Sequence, residues 1–225
     1  MLHFESDYLE GAHPKILQKL AETNGEQTSG YGFDPYCESA KEKIREACAC
    51  PDAEIWFLPG GTQANSVVLD ALLATWQAAV AASTGHICDH EAGAVEAHGH
   101  KVYTLPQKSG KLTPEALERF LADFAGNENR DHMASPGAAY ISHPSEYGTI
   151  YTAEELRKLH RICGAYHIPL FLDGARLGYG LAVGTTDVTL PLLAECCDVF
   201  TIGGTKVGAL LGEAIVIPKK GSIPH

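Results

Sequence analysis

The sequence is short of basic side chains. Its 17 lysines and arginines stand against 28 aspartates and glutamates, a formal net charge of −11. No basic stripe offsets that balance, which argues against a nucleic-acid or anionic-membrane partner. Any anionic ligand must be held by local donors. Long apolar runs are also missing. The longest, from Val67 to Ala82, is interrupted by Asp70 and by small polar residues, so it does not suit a bilayer span. The seven cysteines include no C-x-x-C pair, and Cys196 and Cys197 are adjacent. An odd set in that arrangement reads as free thiols in a reducing compartment rather than a disulfide framework or a zinc site, and the expected location is cytoplasmic. The N-terminus "MLHFESDYLEG" has early acids and no apolar core, so a secretory signal is not indicated. Internal repeats and low-complexity tracts are absent as well.

What remains is the profile of a folded chain, with 45% apolar and 20% charged residues in 225. Strands are predicted at 54–58, 76–82, 101–105, 138–143, 169–176, 198–204 and 213–218. Helices are predicted at 36–50, 62–73, 113–124 and 152–167, with a short one inside "EAGAVEAHG". Thr62, Thr113 and Thr152 are read as helix N-caps. Pro114 follows Thr113 at the first helical position, and Glu155 completes a capping-box pattern with Thr152. Strands alternating with helices of this length imply crossovers, hence an α/β fold with a mostly parallel central sheet and helices on both faces. Ligands in such sheets bind outside the carboxyl ends of the strands.

Three polar sites fall at those ends. Gly60, Gly61 and Thr62 form a tight turn into a helix, whose first N–H groups suit a phosphate; an ordinary turn with a capping threonine reads equally well. Asp173 ends an apolar run and is followed by Gly174 and Arg176. It reads either as a structural cap paired with Arg176 or as the partner of a ligand cation. Lys206 sits in "GGTKVGAL", and the Walker pattern is not met, because Thr205 precedes the lysine and Val207 follows it. It is either an exposed loop lysine or a buried, nucleophilic amine. Together the three meet the needs of pyridoxal 5'-phosphate: an amine for a Schiff base, an acid for the pyridinium nitrogen and a helix start for the phosphate.

The segments "GGTQAN", "HEAGAVEAHGHKV", "FLDGAR" and "GGTKVGALLGEA" resemble the threonine aldolase and β-eliminating lyase family of fold-type I pyridoxal-phosphate enzymes. The resemblance runs from "ESD" near the N-terminus to the last strand. It implies Lys206 as the Schiff-base lysine, Asp173 as the pyridinium partner and Arg176 near the cofactor and substrate. It puts Gly61 and Thr62 at the phosphate, and Ser6 in a segment that helps to hold the substrate carboxylate. A histidine stacked on the cofactor ring falls on His86, with His90 left to cap the next helix or to reach the substrate hydroxyl. Tyr31, in "SGYGFDPY", belongs to a segment that meets a neighbouring subunit. The implied activity is cleavage of a β-hydroxy-α-amino acid to glycine and an aldehyde, by a homodimer or homotetramer. The alternatives are β-elimination from an amino acid, a cofactor-binding remnant without catalysis, and a sugar- or nucleotide-binding domain. Residues 1–225 are expected to form the large domain, without the smaller C-terminal domain that the family carries.

Overall fold

A computed structural model describes residues 3–223. After the exposed helices α1 (Pro14–Thr23) and α2 (Pro35–Ala47), the chain runs through β1 (Glu54–Leu58), α3 (Gly61–Leu72) and β2 (Gln77–Ala82). Two single-turn helices, α4 (His86–Asp89) and α5 (Ala94–Ala97), lead to β3 (Lys101–Leu105) and a two-stranded ribbon of β4 (Gln107–Lys108) and β5 (Lys111–Leu112). Then follow α6 (Pro114–Ala125), β6 (Ser135–Ser142), α7 (Ala153–Ala165) and β7 (Leu170–Asp173). The last elements are α8 (Leu177–Ala182), α9 (Leu190–Cys196), β8 (Val199–Gly203) and β9 (Glu213–Ile217).

Seven strands form the main sheet in the order β1-β9-β8-β7-β6-β2-β3. The pairs β8-β7, β7-β6, β6-β2 and β2-β3 are parallel, whereas β9 runs antiparallel to both β8 and β1. The expected mostly parallel sheet is therefore present, with one reversed strand inside it. Apolar residues alternate between two cores. Val80, Ile141, Leu172 and Phe200 face one side with α6, α7 and α9. Ala81, Tyr140, Phe171 and Ile215 face the other with α3 and α5. Each fully buried Leu, Ile or Phe contributes about 1.5–3 kcal/mol, so the two layers hold the sheet flat against its helices. The strands buried on both faces (β7 and β9) read as unbroken apolar runs, as two-sided burial requires.

Local signals explain most boundaries. Thr113 Oγ accepts from Ala116 N–H at 3.2 Å, and Pro114 opens α6. Thr152 and Glu155 close a reciprocal capping box at α7. The predicted start of α3 needs correction: Gly60, not Thr62, is the N-cap, and no side chain caps that helix. The extended Gly60 takes the cap position and moves Thr62 into the first turn, where it is exposed. The predicted strand at 169–176 ends early, at Asp173, because Asp173 Oδ1 accepts from Ala175 N–H at 2.8 Å and turns the chain. Among the described residues no helix is long and apolar enough to cross a membrane. All seven cysteines are free.

Candidate active site

Five connections leave the carboxyl rim of the sheet and converge there. The turn after β1 starts α3, and the segment after β2 brings His86. The end of β6 brings Ser142 and Glu146, that of β7 Asp173, and that of β8 Lys206.

Asp173 lies at the centre. It is 5% exposed and accepts three hydrogen bonds. Tyr140 O–H donates to Oδ2 at 2.6 Å, Asn65 Nδ2 donates to Oδ2 at 2.9 Å, and Ala175 N–H donates to Oδ1. No cation pairs with Asp173 among the described residues. Of the two readings of Asp173, the one that pairs it with Arg176 is not met. Arg176 instead makes a two-pronged ion pair with Asp7, through Nε and Nη2. The reason is directional: Arg176 is the N-cap of α8, past the turn, and its side chain reaches back to the N-terminal segment. Burial would raise the Asp7 carboxyl, but Arg176 and the nearby Lys206 charge outweigh it and hold the group below the usual range.

A second acid stands behind Asp173. Asn65 Nδ2 also donates to Glu91 Oε1 at 2.6 Å, and the same oxygen meets His86 Nδ1 at 2.8 Å. His86, Glu91 and Asp173 therefore offer ligand atoms within 4.8 Å of one another. Glu91 is buried and its Oε2 has no partner. Glu146 Oε1 fixes the backbone of His86 from the other side, accepting from its N–H at 2.9 Å and from Ser142 O–H at 2.5 Å. The His90 ring is tilted against that of His86, with centroids 5.5 Å apart. His90 does not cap the next helix, because Gly93 in the left-handed region is the N-cap of α5.

Lys206 is half-buried in a turn rather than enclosed, contrary to the expectation of burial. Gly208 and Gly212 in the turn have φ of +81° and +99°, a left-handed conformation that favours glycine. Lys206 Nζ lies 6.0 Å from the centre of the Tyr8 ring, and its carbonyl accepts from Tyr179 O–H at 2.6 Å. The charges of Lys206 and Asp173 both bear on buried Glu213: Asp173 raises its carboxyl and Lys206 lowers it. Ser6 Oγ is buried without a partner beside Asp7. Tyr31 is not brought to this constellation; it is 99% exposed.

Sequence reasoning passed over Tyr140, Asn65, Glu91, Glu146, Asp7 and Glu213. Asn65, Glu91 and Glu213 lie inside the motifs already quoted, but polar residues there carry no local mark of burial. Tyr140 sits in an apolar strand and reads as core. Burial and then the Asp173 charge push its hydroxyl well above the usual tyrosine range. Tyr140→Phe removes a buried hydrogen bond to a carboxylate, so it is expected to lower stability by about 1.5–3 kcal/mol, read as a shift in the urea midpoint with an unchanged slope.

The donor set fits pyridoxal phosphate. A buried acid with three donors and no counter-cation suits a cationic ring nitrogen, and the uncapped first turn of α3 suits a phosphate. Comparisons with known proteins point the same way. The low specificity L-threonine aldolase of Pseudomonas aeruginosa is 32% identical over 216 residues, covering 95% of this chain and 61% of that protein. A low specificity L-threonine aldolase from a Pseudomonas sp. strain is 31% identical over the same share of each. The solved threonine aldolase of Leishmania major superposes with a TM-score of 0.91 at 41% identity, over 96% of this chain and 63% of that one. A putative L-allo-threonine aldolase from Listeria monocytogenes, at 19% identity and a TM-score of 0.66, shares the fold. This chain thus spans 61% of the length of the curated relatives that it matches. The family model for β-eliminating lyases matches residues 3–222, almost every residue from which the rim and its acids are built, and the chain belongs to that family.

Proposed function

We propose that the chain binds pyridoxal phosphate at the carboxyl rim of the sheet and cleaves β-hydroxy-α-amino acids of the threonine type to glycine and an aldehyde. The observation that carries this reading is Asp173, buried and held by three donors with no protein cation, on the same rim as Lys206 and an uncapped helix start. The bound cofactor supplies an electron sink for bond cleavage at the substrate α-carbon. The chain's residues do the rest. Lys206 provides the amine for covalent anchorage. Asp173 pairs with the ring nitrogen and keeps it protonated. The N–H groups of Gly61 and Thr62 donate to the phosphate. With the cofactor bound, His86, its Nδ1 engaged by Glu91, would have Nε2 free to take the proton of the β-hydroxyl; His90, beside it, would be the alternative base. Arg176, anchored by Asp7, draws the N-terminal segment over the rim, so the unpartnered Ser6 hydroxyl meets the substrate carboxylate. Tyr31 reaches a site only across an interface between copies, in keeping with a homodimer or homotetramer.

The test is borohydride reduction after incubation with pyridoxal phosphate, then peptide mapping and product analysis. The expected label is on the Lys206 peptide, absent from Lys206→Ala, with threonine giving glycine and acetaldehyde in equal amounts. A keto acid with ammonia would instead show β-elimination. Label on Lys206 with no product of either kind would define a binding module alone. Label on another lysine would overturn the assignment.

A further inference from the structure

Glu213 is a buried acid with no work in the scheme above. It is the first residue of β9, pairs in register with Leu58 of β1 and Gly203 of β8, and is 4% exposed. Its Oε2 has no hydrogen-bond partner. Its Oε1 lies 3.7 Å from the point where a Cβ on Gly61 would stand, so the carboxyl group aims at the first turn of α3. That turn has no side-chain cap, and its positive dipole end attracts an anion. Glu213 is thus an internal anion beside the place where the phosphate is read to sit.

A carboxylate and a phosphate cannot share a helix start at low dielectric without strong repulsion. We propose that Glu213 gates the phosphate cup by its proton: entry of the cofactor phosphate is coupled to uptake of one proton from solvent onto the Glu213 carboxylate. The neutral acid then donates its O–H to a phosphate oxygen. This rests on the cofactor assignment made above and deepens it.

The surroundings allow the proton to move near neutral pH. Burial first, and then the Asp173 charge, raise the Glu213 carboxyl to about 7, while Lys206 pulls it down. Asp173 from β7 and Lys206 from the turn after β8 are the charged groups that bear on it; β1 offers Leu58, β8 offers Gly203 and α3 offers Gly61, none of them titratable. The sign follows from linkage. Phosphate binding raises the proton affinity of Glu213, so the added affinity is complete below the free-state value and is lost as pH rises above it.

The experiment measures binding of pyridoxal phosphate and of pyridoxal, from pH 6 to 8.5, to the wild-type chain and to Glu213→Gln. The expected result for wild type is a fall of about 30-fold in pyridoxal-phosphate affinity over that range beyond the change shown by Glu213→Gln, the value for one proton with a free-state midpoint of about 7. Pyridoxal, which shares the amine chemistry but lacks the phosphate, should show the same slope in both proteins. Calorimetry of the wild-type chain in buffers of different ionisation enthalpy provides a second reading that needs no variant: about one more proton taken up with pyridoxal phosphate than with pyridoxal at pH 8. Equal pyridoxal-phosphate slopes in the two proteins, or no excess proton uptake, would overturn the gate and leave the cofactor assignment standing. Failure of both ligands to bind would overturn the cofactor assignment and the gate with it.

Discussion

Asp173→Asn is expected to lower turnover of threonine by two to four orders of magnitude while the protein still fixes the cofactor on Lys206. The substitution keeps size and removes charge. In the proposed site the acid is the only counter-charge for the ring nitrogen, and losing one partner of a buried charged pair costs about 3–5 kcal/mol, at about 1.4 kcal/mol per decade of rate. The new amide also has no acceptable orientation. With its nitrogen at the Oδ2 position it meets the donors of Tyr140 and Asn65; flipped, it meets Ala175 N–H. At least one donor-against-donor contact therefore remains in either pose, and stability should fall by about 1–3 kcal/mol. Steady-state kinetics and a urea midpoint on the same preparation separate the two effects. Turnover within tenfold of wild type would remove Asp173 from the chemistry.

Gly174→Ala is expected to be the most damaging single methyl group in the chain. A Cβ at that position would lie 1.9 Å from the carbonyl oxygen of Thr201, backbone against backbone, and 3.0 Å from Leu177 Cβ. Neither β7 nor β8 can move without breaking two buried hydrogen bonds, Gly174 N–H to Thr201 Oγ at 2.8 Å and Gly203 N–H to Gly174 O at 3.0 Å. At about 1–3 kcal/mol for each broken bond, a loss of roughly 3 kcal/mol or more is expected, with Asp173 displaced as well. Gly164→Ala is the control. It lies in the last turn of α7 with nothing within 4 Å of its added Cβ, so it should stabilise by about 0.4–1 kcal/mol. Chemical denaturation of both variants settles the comparison, and a Gly174→Ala protein as stable as wild type would contradict the described β7–β8 contact.

Much of this architecture is legible in the amino-acid order. Period-two and unbroken apolar runs mark the strands, and threonine with proline or glutamate marks α6 and α7. The rim positions of Asp173 and Lys206 follow from their place just after such runs. Elements whose signals are weak in isolation are not legible. The six-residue α8 and the seven-residue α9 are each under two turns long, too short to show a periodic apolar face. The acid network is hidden for a stronger reason. Tyr140 and Asn65 reach Asp173 from 33 and 108 residues away, and Arg176 finds Asp7 across 169. Sequence shows that Arg176 is close to Asp173 along the chain, and that proximity left their pairing open as one of two readings. Only the folded backbone sets the direction in which each side chain leaves it.

The reversed β9 has a consequence of its own. Every parallel strand delivers its last residue to the working edge, and the next parallel strand can return there only after a full crossover. A strand running the other way delivers its first residue instead, after a short reversal. Lys206 and Glu213 are thus tied by a single tight bend, residues 204–212, while Asp173 is independently suspended from its own strand. The spacing between amine and gate is fixed by the length of one hairpin-like connection. Lengthening that bend would detune the two groups relative to each other, whereas a longer excursion at 184–189 would leave both where they are.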